Sequence, residues 1–138
     1  MGPTRVLLVE DSTHDRELVR RWISKFYPDA VIETAATMDA ARERISFGSV
    51  DVIVLDLSLP DSDREKTLKE IPAMATSAAV LVLSGGLSDG DAETATSSGA
   101  ACAMDKDEML RRAMANDPVL AEEMKRKLHS IVRRRRGG

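Results

Sequence analysis

Aromatic side chains are nearly absent from this chain, with one Trp, one Tyr and two Phe in 138 residues. The core must therefore come mostly from Val, Leu, Ile, Ala and Met, and the scarcity argues against a base-stacking nucleic-acid platform. Cysteine is rarer still. Cys102 has no partner for an internal disulfide and cannot build a Cys-based zinc site, which fits a reducing compartment. Long apolar runs are missing too. Met1-Gly2-Pro3-Thr4-Arg5 leads into only four apolar residues, Val6 to Val9, before Glu10 and Asp11. Neither a membrane span nor a signal peptide is expected, and the expected location is cytoplasmic.

What is present suits one globular domain. Hydrophobic residues make up 43% and charged residues 31%, enough for a proper core without disulfide staples. The net charge of −3 hides an asymmetry: from Asp117 onward seven Lys and Arg stand against three Asp and Glu. The body is acidic and the end of the chain basic.

The stretch Val50 to Asp61 organises the rest. Its first residues, Val-Asp-Val-Ile-Val-Leu, are rich in β-branched side chains and suit a strand buried on both faces of a parallel sheet. Asp56 closes that strand, and Pro60 and Asp61 follow. Further strands are expected at Arg5–Val9, Ala30–Thr34, Ala79–Leu83 and Ala100–Met104. Between them come a helix capped at Ser12-Thr13 and broken by Pro28-Asp29, and helices at Met38–Ser46, Ser62–Glu70 (stopped by Ile71-Pro72), Asp89–Ser98 and Glu108 to about Ala115. A sixth helix opens at Asp117-Pro118. Strands alternating with helices imply an α/β fold with helices on both faces of a parallel sheet.

In such a sheet the strand ends collect at one edge, where ligands bind. Glu10 and Asp11 end the first strand, Asp56 the third, Ser84 the fourth, and Lys106 follows the fifth. Two carboxylates ~4 Å apart repel by roughly 4 kcal/mol at an effective dielectric near 20. A divalent cation removes that conflict, and Mg²⁺ suits few carboxylates, a backbone carbonyl and water. The set resembles a site for stabilising charge on a transferring phosphoryl group.

Four motifs in register sharpen this. Val6-Leu7-Leu8-Val9-Glu10-Asp11-Ser12, Val52 through Asp61, Leu81-Val82-Leu83-Ser84 and the Lys106 segment resemble the receiver domain of two-component response regulators. The resemblance covers about residues 4 to 115. It implies a flavodoxin-like, doubly wound sheet of five parallel strands in the order 2-1-3-4-5, with an extra C-terminal helix. The domain is expected to span 4–116, with 117–138 as an amphipathic helix and basic tail. Asp56 would be the phosphoacceptor, served by a sensor histidine kinase or a histidine phosphotransfer protein. Asp11, Asp56 and the Ser58 carbonyl would bind Mg²⁺, Glu10 would act through water, Lys106 would pair with phosphoryl oxygens, and Ser84 would swing its hydroxyl onto one. The expected role is a stand-alone receiver rather than an enzyme, signalling to a downstream protein by contact.

Three positions depart from the family. Ala103 stands where an aromatic is usual, Asp107 where proline follows the lysine, and Arg64 where glycine is usual. The first two fall on the usual output face, formed by the fourth helix, fifth strand and fifth helix. They support the alternative of a phosphorylation-independent scaffold, and they leave the Lys106–Asp107 bond open between cis and trans. A haloacid dehalogenase-type phosphatase is a poor fit, because Ser58 stands where that family has a second Asp.

Away from this edge, ordinary readings prevail. His14 is expected to be exposed and idle, and Cys102 to be a small core residue. Leu120, Met124, Leu128 and Ile131 form a stripe that packs back on the domain or pairs with a second copy. The output face is the other candidate surface for a homodimer. Lys125 to Lys127 and Arg133 to Arg136 give a basic face, read chiefly as solvated; sequence-specific DNA binding is not expected.

Overall fold

Continuous apolar runs in β1, β3 and β4 form the centre of a five-stranded sheet in a computed structural model, which describes residues 2–135 with side chains through Ser130. The elements are β1 (Arg5–Val9), α1 (Thr13–Phe26), β2 (Val31–Ala35), α2 (Met38–Ser46), β3 (Val52–Leu55), α3 (Arg64–Ala75), β4 (Ala79–Ser84), α4 (Asp89–Ser97), β5 (Cys102–Asp105), α5 (Lys106–Met114) and α6 (Pro118–Arg135). The strands form one sheet in the order β2-β1-β3-β4-β5, as the family resemblance implies, and every neighbouring pair is parallel. Each step from strand to strand crosses over through a helix, so both faces are covered and two hydrophobic layers result.

The two layers split the strands by residue parity. Leu7, Val9, Ile53, Leu55, Val80 and Val82 pack under α2, α3 and α4. Val6, Leu8, Val52, Val54, Leu81 and Leu83 pack under α1, α5 and α6. The α6 stripe is used inside the chain: Leu120, Met124 and Leu128 are buried against this second layer. Packing back on the domain is thus the outcome, and the Ile131 side chain lies outside the described residues. Cys102 is buried there too, its Sγ 4.0 Å from Met124 Sδ, and burial pushes its thiol pKa up.

Helix starts follow the expected capping chemistry. Ser12, Thr37, Asp63, Ser88 and Asp105 each accept a hydrogen bond from the backbone N–H three residues on. Gly99 follows the end of α4 with φ 118°, a conformation that suits glycine. No described helix is long and apolar enough to cross a membrane.

Several boundaries correct the sequence reading; β5, for one, runs Cys102–Asp105 rather than Ala100–Met104. Helix α3 begins at Arg64 and does not stop at Ile71-Pro72; it runs through Pro72 to Ala75. The proline removes one N–H from the helix ladder, but Ile71 and Met74 on either side are buried, and their packing carries the helix one turn further. Strand β3 is shorter than Val50–Leu55, starting at Val52; the Asp51 carboxylate instead accepts a hydrogen bond from the Arg5 N–H at 2.8 Å. Helix α5 starts at Lys106 rather than Glu108. Asp105 is both the last residue of β5 and the cap of α5, so no loop separates them. No cis peptide bond occurs among the described residues, which settles Lys106–Asp107 as trans.

Candidate functional site

Parallel register delivers the strand ends to one edge. Val9 pairs with Leu55, and Ser84 with Asp105, so the residues just beyond them meet there. Backbone bonds fix two of these: the Glu10 N–H donates to the Ala35 carbonyl at 2.9 Å, and the Asp56 N–H to the Val9 carbonyl at 3.1 Å. Glu10, Asp56, Ser84 and Lys106 are all buried, although each carries a polar or charged head. Such burial requires partners, and the partners are one another.

Asp56 is the hub. Its Oδ1 accepts from the Ser58 N–H at 2.8 Å and from the Ser84 hydroxyl at 2.9 Å, while Oδ2 accepts from Lys106 Nζ at 3.0 Å. The Ser84 Oγ in turn accepts from the Leu57 N–H at 3.3 Å. The Ser84 hydroxyl thus touches the Asp56 carboxylate directly, and the β5 position Ala103 carries no aromatic ring. Lys106 Nζ also donates to Glu10 Oε1 at 2.7 Å and lies 2.8 Å from Asp15 Oδ2. One ammonium bridges three carboxylates.

The electrostatics follow from this arrangement. Burial, helped by the nearby Asp56 carboxylate, raises the Glu10 pKa to about 7 against the pull of Lys106. Burial also works to raise Asp56, but the Ser58 N–H, the Glu10 carboxyl and Lys106 outweigh it and hold Asp56 below the ordinary aspartate value. Burial would lower Lys106, yet its bonds to Asp15, Glu10 and Asp56 drive it well above the ordinary lysine range. At neutral pH the hub carboxylate stays ionised, a lysine cation beside it, with Glu10 close to its titration point.

Most residues expected at this edge are brought together. Glu10, Asp11 and Asp56 each place a carboxylate oxygen within 4.8 Å of the others, Asp11 being exposed at the mouth. Ser58 is exposed on the turn beside Asp56. His14 is exposed and makes no part of the network. Two residues escaped the sequence reading. Asp15 lies in the first turn of α1, a place where an acid by itself marks only a helix start. Arg64 stood out only as a departure, and its guanidinium spans the mouth, donating to Gly85 O at 3.1 Å, Asp91 Oδ2 at 3.1 Å and Ser58 Oγ at 3.4 Å.

An ionised carboxylate flanked by a hydroxyl and an ammonium is equipped to attack an electrophile and to bind the negative oxygens that result. The surrounding oxygens suit a hard divalent cation.

Comparison with known proteins points the same way. Residues 6–116 match the family described as the response regulator receiver domain. The chain is 31% identical to a protein-glutamate methylesterase/protein-glutamine glutaminase of Nitrobacter winogradskyi, covering 99% of this chain and 32% of that protein. It spans about a third of the length of the first such relatives it matches. Among solved structures, it is similar to a response regulator receiver domain protein of Methanospirillum hungatei, with TM-score 0.75 and 20% identity over 96% of this chain and 99% of that one. It is also similar to the phosphorylated cyanobacterial phytochrome response regulator RcpA, with TM-score 0.73 and 22% identity over 94% and 96%.

Proposed function

This chain belongs to the response regulator receiver domains of two-component signalling, and from that premise we propose that Asp56 accepts a phosphoryl group from a phosphohistidine of a sensor kinase or phosphotransfer protein. The observation that carries the reading is the Asp56 carboxylate itself: 3% exposed, held ionised, and bonded at once to Ser84, Lys106 and the Ser58 N–H. An Asp56 oxygen attacks phosphorus as the P–N bond breaks. The electron pair stays on the departing imidazole nitrogen, and the product is an acyl phosphate. Lys106 and the Ser84 hydroxyl then lie beside the new phosphoryl oxygens and hold their charge.

The donor set also fits Mg²⁺, because Glu10, Asp11 and Asp56 converge as hard oxygen ligands. Asp11, Asp56 and the Ser58 carbonyl are the proposed protein ligands, with Glu10 acting through water. When bound, the cation would neutralise charge on the transferring group. The receiver is proposed to span 4–116 and to signal by protein contact, with the helix beyond it docked on its α1/α5 face. The activities named for the longer relatives are not proposed for this chain.

Incubation with Mg²⁺ and acetyl phosphate, followed by intact mass measurement, tests the reading. One phosphoryl mass, stable to acid, labile to alkali and lost in Asp56→Asn, is the expected result. No gain in mass would leave the scaffold alternative standing instead.

A further inference from the structure

The usual reporting aromatic is absent at Ala103, yet the mouth of the site is physically tied to α4 by another side chain. From its contacts we infer that Arg64 is a phosphoryl-binding residue that reports the state of Asp56 to α4, by exchanging Asp91 for the phosphoryl oxygens. The inference rests on the proposed phosphorylation of Asp56.

Arg64 opens α3, half-buried at the mouth between the β3–α3 turn and the β4–α4 turn. Two of its three acceptors are neutral, the Ser58 hydroxyl and the Gly85 carbonyl; the third is one oxygen of Asp91. That same oxygen also accepts the Ser88 N–H at 3.4 Å, closing the capping box at the start of α4. The hold on Asp91 is thus single-pronged and shared. Ser58 bonds Asp56 through its N–H at 2.8 Å and Arg64 through its hydroxyl at 3.4 Å. The guanidinium is therefore one residue away from the carboxylate that would carry the phosphoryl group.

A phosphoryl group brings close to two negative charges and three strong acceptors. A guanidinium prefers such an anion, which it grips with two parallel bonds, over one oxygen of a partly exposed carboxylate. Transfer of Arg64 to the phosphoryl oxygens breaks its bond to Asp91. Helix α4 has Ala95 as its only buried residue, beyond its first turn, so no buried side chain holds that turn. Its first turn then loosens, and the signal appears on the α4 surface without any aromatic rotation.

Hydrogen exchange of the α4 backbone, measured with Mg²⁺ and with or without excess acetyl phosphate, tests this, provided intact mass is read on the same samples. In the parent protein exchange across α4 should rise roughly tenfold on phosphorylation, as expected for loss of one charge-assisted bond. Arg64→Ala and Asp91→Asn should show the faster exchange before phosphorylation and almost no further rise. Arg64→Lys, which keeps the charge but not the fork, should restore slow exchange in the unphosphorylated state and only part of the response. If the variants gain the phosphoryl mass yet keep the full tenfold rise, Arg64 is merely structural and the inference fails alone. If the parent protein gains no mass, the proposed function fails and takes the inference with it.

Discussion

The acid cluster and helix α4 lie at the same edge of one sheet, yet they are built to opposite rules. At the cluster, buried charges are locked by short bonds: Lys106 alone bridges Glu10, Asp15 and Asp56 at 2.7–3.0 Å. Helix α4 has a single buried residue, Ala95, and is fixed mainly by polar contacts at its start, the Ser88–Asp91 capping box and the Arg64–Asp91 ion pair. Side chains that bind a phosphoryl group must be held in place before it arrives. An element that reports on it must be cheap to move, and sparse apolar contact makes it so. The chain keeps the family's pattern in the acid cluster and departs from it at Arg64, Ala103 and Asp107.

Removing the central cation is the strongest way to break this comparison. Lys106→Ala leaves three carboxylates facing one another at a buried site, and loss of one member of a buried ionic network costs about 4 kcal/mol. Denaturant unfolding without metal should show that loss, and added Mg²⁺ should return part of it by supplying positive charge. An unchanged midpoint would mean that the cluster is not rigid. Leu120→Ala acts on the far face instead. It leaves a cavity under α6, where Leu120 is fully buried, and should cost about 3 kcal/mol. Its Asp56 labelling should match the parent protein, because α6 lies away from the site edge.

The cluster should also respond to pH in a way that α4 does not. The Glu10 pKa is raised to about 7, chiefly by burial, so below that value Glu10 carries a proton that must leave before the site can hold a cation. Mg²⁺ affinity should therefore fall about tenfold from pH 8 to pH 6. Calorimetry in buffers of different ionisation enthalpy would detect the proton released on binding. Glu10→Gln removes the titrating group and should flatten the profile.

Sequence carried much of this architecture and little of the linkage. Asp56, Ser84 and Lys106 were legible because apolar runs mark strands, and parallel strands bring their ends to one edge. Asp15 was not, because its contact with Lys106 joins residues distant in sequence and its position alone says only that a helix is starting. The continuation of α3 past Pro72 was hidden for another reason. Local proline chemistry argues for a stop, and only the tertiary burial of Ile71 and Met74 overrides it. Arg64 stood out as an irregular residue, but its three acceptors come from three separate segments that only the fold assembles.

The gentlest test falls on α4 itself. The Ser88 hydroxyl accepts the Asp91 N–H at 3.0 Å and forms half of the capping box. Ser88→Ala should cost about 1 kcal/mol of helix stability. With only Ala95 anchoring α4 to the core, that loss should stay local. Exchange should quicken across α4, while the thermal midpoint and the rate of Asp56 labelling hold at the parent values. A clear drop in the midpoint would show that α4 unfolds with the core, and the contrast between a fixed site and a loosely held reporter would be lost.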